Sequence, residues 1–479
     1  MDKENYFLRV NFVVEDVEIP DVLCRIFLPE RVLDKPHMRL EPTEEQFEKL
    51  NRSYKGNFKV EIKSRDDICS EIIESSVVYL ENTKATYRKE GISEFAVDGK
   101  PQNLTVIRFR TTTDGEEKSS VIFWISPNKM LSPVISHIDS YDGSIKIKRH
   151  FSFEFPIADN IKLKFDEHYR NKKTGNKDML RWSFLVSCVE LNIFAHDITK
   201  IRAEVLPIID DFLLIASFAS RTRTACLGFD AVSLNVNSSY YRGDLTFPNG
   251  ESEFNFNDGL VAKQDFEEFM NHCYSTFSKY PNKKVLQRAI WALVPGEPKT
   301  LEENFLLLFA GIETLLLEYR RQENLEFVIW QQIKNHIRDS IKSISNPKTE
   351  KKQRCYMYEK IDELNRISLR NVLDDFCERF DLEITDLWPI FAAKNQVGLS
   401  DIRNRLIHGE TFDDECFDAI GVACDNLKWL LERMILKILD WPIDRSEVEA
   451  EFLKHNSYSL SIMPAERERI AQIFYNTNN

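Results

Sequence analysis

Over residues 1–170 hydrophobic and polar positions alternate with a period of two, in stretches rich in Val, Ile, Phe and Thr. Phe7-Leu8-Arg9-Val10-Asn11-Phe12-Val13, Phe58-Lys59-Val60-Glu61-Ile62 and Ile145-Lys146-Ile147-Lys148 each put every second side chain on one face. That is the pattern of half-buried strands. Polar turns such as Asp114-Gly115 and Asp142-Gly143 fall between such runs and predict an antiparallel sandwich or barrel. A bridging segment follows, with strands near 180–194 and 226–236 and helices near 199–221 and 263–280. Pro207 has no N–H to give a helix, so it should kink or restart the first of these.

After residue 283 the period changes to that of a helix. Thr300-Leu301-Glu302-Glu303 is a capping box, in which hydroxyl and carboxylate satisfy each other's backbone donors; it opens a helix to about residue 321. Further helices read at 327–345, 351–379 and 414–441. In the last, Phe417, Ile420, Cys424, Leu427, Leu431, Met434, Ile438 and Trp441 recur three and four apart. Such a stripe buries one face, either as plain bundle core or across a dimer. The expected fold is α+β: a β-rich domain at 1–175, a mixed continuation at 176–285, and an all-α bundle at 286–479.

Composition narrows the function classes. The net charge of −13 and the absence of a basic half argue against broad non-specific duplex binding, though a small basic pocket is still allowed. The first residues lack a signal pattern, and the longest apolar stretch, 305–317, is too short for a membrane span and contains Glu313. Nine cysteines are scattered without a CxxC pair, which reads as reduced core thiols of a cytoplasmic protein, not a disulfide frame or zinc site. No glycine-rich phosphate loop, paired catalytic carboxylates or nucleophile elbow is present, and no cofactor is expected.

One constellation carries chemistry: Ser400-Asp401-Ile402-Arg403-Asn404-Arg405-Leu406-Ile407-His408-Gly409-Glu410. An Arg with a His a few positions on is weak as a bare pattern, and Arg31 with His37 is a decoy with Pro36 between them. Arg403 to His408 differs because Asn404 follows the Arg, Gly409 ends the short helix, and a long amphipathic helix comes next. On a helix Asn404 and His408 share a face, with Arg403 on the flank. A His, a fixed cation and an amide together suit phosphodiester chemistry: imidazole exchanges protons near neutral pH, and guanidinium clamps two phosphate oxygens. The plain alternative is a helix-end His with Arg403 and Arg405 paired to Asp401 or Glu410 on the surface.

At these residues the chain resembles HEPN domains (higher eukaryotes and prokaryotes nucleotide-binding), whose signature is Arg-x(4–6)-His in a helical bundle. The layout, with Leu206-Pro207-Ile208-Ile209-Asp210-Asp211-Phe212-Leu213-Leu214, Ser217-Phe218-Ala219 and Phe309-Ala310-Gly311-Ile312-Glu313, resembles the ApeA-like branch of bacterial anti-phage defence. The resemblance implies a metal-independent endoribonuclease that leads to abortive infection, with a β-rich sensor or regulatory domain. In that family RNA, tRNA among it, is cut by 2′-hydroxyl attack to give a 2′,3′-cyclic phosphate, and two motifs meet across a homodimer or higher even oligomer. Mapped here, His408 is the general acid/base, Arg403 the transition-state clamp and Asn404 the orienting group. Glu313 would support the site by holding Arg403 or His408, or simply face solvent; Arg405 would touch the RNA backbone or be solvated. A phage-derived trigger is implied and no membrane partner. The rival reading is a non-catalytic HEPN module that binds RNA, a nucleotide or a partner protein.

Overall fold

A computed structural model describes the chain except residues 1–4, 30–33, 64–69, 88–92, 110–118, 133, 140–144, 152, 159–160, 175–177, 246–258, 298, 320–326, 345–354, 356, 359, 362–367, 392–395, 411, 413 and 477–479. The fold is α+β. The chain divides into two compact units, residues 1–274 with 294–298, and residues 275–293 with 299–479.

The first unit is built on strands β1 (Asn5–Val14), β2 (Val17–Phe27), β3 (His37–Glu41), β4 (Lys55–Lys63), β5 (Ser70–Tyr87), β6 (Ser93–Pro101), β7 (Asn103–Phe109) and β8 (Ser119–Ile125). It continues with β9 (Val134–Asp139), β10 (Ile145–Phe151), β11 (Glu154–Ala158), β12 (Ile161–Thr174), β13 (Asp178–Leu191), β14 (Cys226–Val232) and β15 (Val236–Arg242). All the pairings are antiparallel. The order β5-β4-β1-β2-β3-β6 closes on itself, because β5 also pairs with β6; of the two architectures expected, this is the barrel. β5 manages both roles by being long. Its first half pairs with β4 and β7, while Val78 to Tyr87 pair with β6. Alternation supplies the filling: Val10, Phe12, Val22, Cys24, Ile26, Met38, Leu40, Phe58, Ile73 and Val97 point inward and are buried.

From the far side of β5 the sheet runs on as β7-β15-β14-β8-β13-β12-β11, with β9 and β10 as a separate pair. Helix α1 (Glu44–Leu50) lies in the barrel segment, and α2 (Leu206–Ser220) is the buried helix of the second half. A π-turn at Ile201–Val205 precedes α2, and Pro207 sits at its first turn. Pro207 therefore restarts the helix, as its missing N–H requires. Phe212 of α2 closes an aromatic cluster, 5.0 Å from Phe155 and 5.7 Å from Phe165. The turns Asp114-Gly115 and Asp142-Gly143, and Arg31 of the decoy, lie outside the described residues; His37 stands in β3, stacked on Phe27.

Helix α3 (Phe266–Lys279) leads into the second unit. There follow α4 (Lys283–Leu293), α5 (Leu301–Tyr319), α6 (Phe327–Ile344), α7 (Leu369–Phe380), α8 (Leu399–Ile407), α9 (Phe417–Ile438), α10 (Ala450–Asn456) and α11 (Tyr458–Asn476). The Thr300–Glu303 capping box forms as expected, with distances of 3.1 and 3.2 Å. The single helix expected at 351–379 does not form, because Ser368 caps a fresh helix start by accepting from the Asn371 N–H; residues 362–367 before it lie outside the described residues. Helix α9 is the axis of the unit and is buried nearly all round. Ile420, Leu427, Leu431 and Met434 of its stripe are spent inside the chain, so the stripe gives no support to a dimer. Phe417, in the first turn, is 65% exposed and drops out of it. Among the described residues no helix is long and apolar enough to cross a membrane.

Candidate active site

Helix α8 carries the Arg-Asn-His motif, and the loop before it fixes where it starts. The N–H groups of Leu399 and Ser400 donate to the carbonyls of Pro389 and Ile390, at 3.0 and 2.9 Å. The Gly398 N–H donates to Asp401 Oδ2 at 2.8 Å. These bonds deal with backbone groups that a helix start leaves unpaired. Leu399 and Ile402 are fully buried and seat the apolar side of α8; Arg403, one turn after Leu399, is half-buried on its flank and Asn404 is exposed.

Buried polar residues of α9 hold that loop in turn. Asn426, fully buried, accepts from the Trp388 N–H at 2.9 Å, and the Trp388 indole N–H donates to the Val397 carbonyl at 3.0 Å. Arg433 grips Asp386 with both arms of its fork, at 2.7 and 2.6 Å, and also donates to the carbonyls of Glu383 and Val448. Sequence reasoning missed Asn426, Arg433, Asp386 and Trp388 as positioning residues. The available signal was two polar residues set among apolar neighbours in a helix.

Arg403 meets Glu313 of α5, its Nη2 lying 3.2 and 3.4 Å from the two carboxylate oxygens. Its Nη1 donates to Asn404 Oδ1 at 3.3 Å, and the guanidinium lies 5.8 Å from the centre of the Phe309 ring. Both members of the ion pair keep about a third of their side-chain surface in solvent, 30% and 29%. A pair that exposed contributes about 1 kcal/mol at most, so its main effect is on where the guanidinium sits. Glu313 thus turns the planar fork, which stays partly exposed to solvent.

Helix α8 ends in a Schellman turn. Gly409 adopts φ +80°, its N–H donates to the Leu406 carbonyl, and the Glu410 N–H donates to that of Arg405. His408 is the capping residue, so its imidazole stands at the helix end, exposed, one turn beyond Asn404. Within one chain Arg403, Asn404 and Glu313 come together. The His408 ring makes no hydrogen bond to them or to any other described residue. Arg405 is tied down: its guanidinium lies 3.7 Å from the Phe474 ring centre, donates to the Phe474 carbonyl and sits 3.5 Å from Glu410. It fastens α8 to α11 and is partly exposed.

The arrangement offers a positioned guanidinium, an amide and a solvent-facing imidazole at the end of one helix. Compared with protein-family models, with curated proteins and with solved structures, this chain matches none.

Proposed function

We propose that the chain is a cytoplasmic, metal-independent endoribonuclease of the HEPN type acting in anti-phage defence, with Arg403, Asn404 and His408 as its catalytic group. The observation that carries this reading is the Glu313–Arg403–Asn404 cluster on a helix whose capped end carries an exposed His408. Arg403 is aimed by one acid and one amide, and its side chain keeps 30% of its surface in solvent.

In the proposed reaction His408 removes the proton from an RNA 2′-hydroxyl, whose oxygen bonds to the adjacent phosphorus. The bond from phosphorus to the 5′-oxygen breaks, and that oxygen takes up the proton. The products are a 2′,3′-cyclic phosphate and a 5′-hydroxyl. Arg403 holds the non-bridging oxygens as charge builds on them, and Asn404 orients the phosphate. Because the His408 ring and Arg403 do not touch within a chain, a second copy supplying the partner motif fits the chemistry, as a homodimer or higher even oligomer. A phage-derived signal acting through the β-rich unit would then release cleavage of RNA such as tRNA.

The test is cleavage of total RNA by the purified protein in EDTA, followed by sequencing and chemical identification of the ends. Cyclic phosphate and 5′-hydroxyl ends support the reading. Binding without cutting replaces it with a non-catalytic RNA-binding module.

A further inference from the structure

Helix α4 is basic in an acidic chain. It carries Lys283, Lys284 and Arg288 and no acid, within a run that has no Asp or Glu between Glu268 and Glu297, in a protein of net charge −13. Its faces are sharply divided. Leu286, Ala289, Ile290 and Ala292 are buried against the bundle. Lys284, Arg288 and Trp291 are exposed and are spaced four and three apart, which sets them in one sector of about 60° on the opposite side. Trp291 leaves 52% of its surface in water. Neither Lys284 nor Arg288 has a hydrogen bond or ion pair among the described residues.

One exposed apolar residue is ordinary on a protein surface. An exposed indole in line with two unpaired cations is a different feature, because each group lacks what the other two would help to bind. The cations call for an anionic partner. The indole face calls for a flat ring, and bases stack on aromatic side chains whatever their sequence. Lys284 and Arg288 stand about 6 Å apart along the helix, which lets each meet its own phosphate of an extended strand. We propose that Lys284, Arg288 and Trp291 form a ridge that binds single-stranded RNA, with a base stacked on Trp291 and adjacent phosphates held by Lys284 and Arg288. This rests on the ribonuclease reading for the identity of the nucleic acid; none of the three residues belongs to the cleavage site.

The experiment is fluorescence anisotropy with the full chain and a dye-labelled, mixed-sequence RNA of about fifteen nucleotides. Its 2′-hydroxyls are methylated so that it binds but cannot be cut. Trp291→Ala is expected to weaken binding about tenfold, and Trp291→Phe to restore most of it. The double variant Lys284→Glu/Arg288→Glu is expected to weaken binding further and to flatten the plot of log affinity against log salt by about 1.4. Circular dichroism matching wild type excludes misfolding of these surface variants. Wild-type affinity and slope in both variants overturn the ridge, as does wild-type protein that binds no RNA or that polyglutamate competes off equally well. If both variants bind like wild type while wild type cuts unmodified RNA, the ridge fails and the nuclease stands. If binding runs through the ridge and unmodified RNA stays intact, the ridge stands and the nuclease fails.

Discussion

Replacing Asp386 with Ala should strand a buried charge. Arg433 exposes only 2% of its side chain, and its guanidinium makes four hydrogen bonds, two of them to the Asp386 carboxylate at 2.7 and 2.6 Å. Removing one partner of a buried ion pair costs about 3–5 kcal/mol. Here the lower end applies, because the carbonyls of Val448 and Glu383 remain and Asp386 is 23% exposed, so water can reach the gap. For a unit of this size each kcal/mol lowers the melting temperature by about 2–4 °C, which gives a fall of about 6–12 °C. The assay is the thermal transition of the helical signal at 222 nm. Arg433→Met in the Asp386→Ala background removes the stranded charge, so the double variant should melt well above the sum of the two single effects. A fall below 2 °C for Asp386→Ala, or strict additivity in the double, would refute the reasoning.

Glu313→Gln keeps an acceptor for Arg403 but loses the charge. It should shift the melting temperature by under about 2 °C while lowering RNA cleavage at least tenfold, since a pair this exposed adds little stability; a parallel loss of both would make Glu313 merely structural. A Cβ on Gly311 would lie 2.9 Å from Leu431 Cδ2 and 3.0 Å from Ala292 Cβ. Gly311→Val should therefore cost about 1–3 kcal/mol in urea unfolding, and an unchanged midpoint would contradict that packing. Burial pushes the thiols of Cys24, Cys226 and Cys424 up to about 12, so at pH 8 they stay protonated as well as enclosed. Among the described cysteines, iodoacetamide followed by mass spectrometry should mark the exposed Cys188 and Cys355 first, and early labelling of Cys226 would count against the sheet arrangement.

Local signals in the sequence are legible where one element suffices to decide them. The Thr300 capping box, the restart at Pro207 and the helix end at Gly409 all depend on neighbours within a few residues. Barrel closure was not legible, because it depends on β5 finding two partners on one edge and one on the other, far apart in sequence. The stripe on α9 was visible as a pattern, yet periodicity along one helix says nothing about whose side chains cover it; the structure covers it from within the chain. Asn426 and Arg433 were missed for a related reason. Their partners Trp388 and Asp386 lie 38 and 47 residues away, so only the folded chain shows that they set the start of α8. Arg403 and Glu313, 90 residues apart, are linked in the sequence only by a family resemblance, and they lie in contact in the structure.

The most direct measurement is the single-turnover rate of RNA cleavage in EDTA by wild-type protein, His408→Ala and Arg403→Lys. Loss of a proton-transfer group should lower the rate by about 10²–10⁴. Arg403→Lys should fail too, because an ammonium cannot present a planar fork to two phosphate oxygens. Both variants should melt like wild type, since His408 is exposed at a helix end and Arg403 is partly exposed. Cleavage that stops in EDTA, or that His408→Ala performs at the wild-type rate, would contradict the assignment of this site as a metal-independent ribonuclease centre.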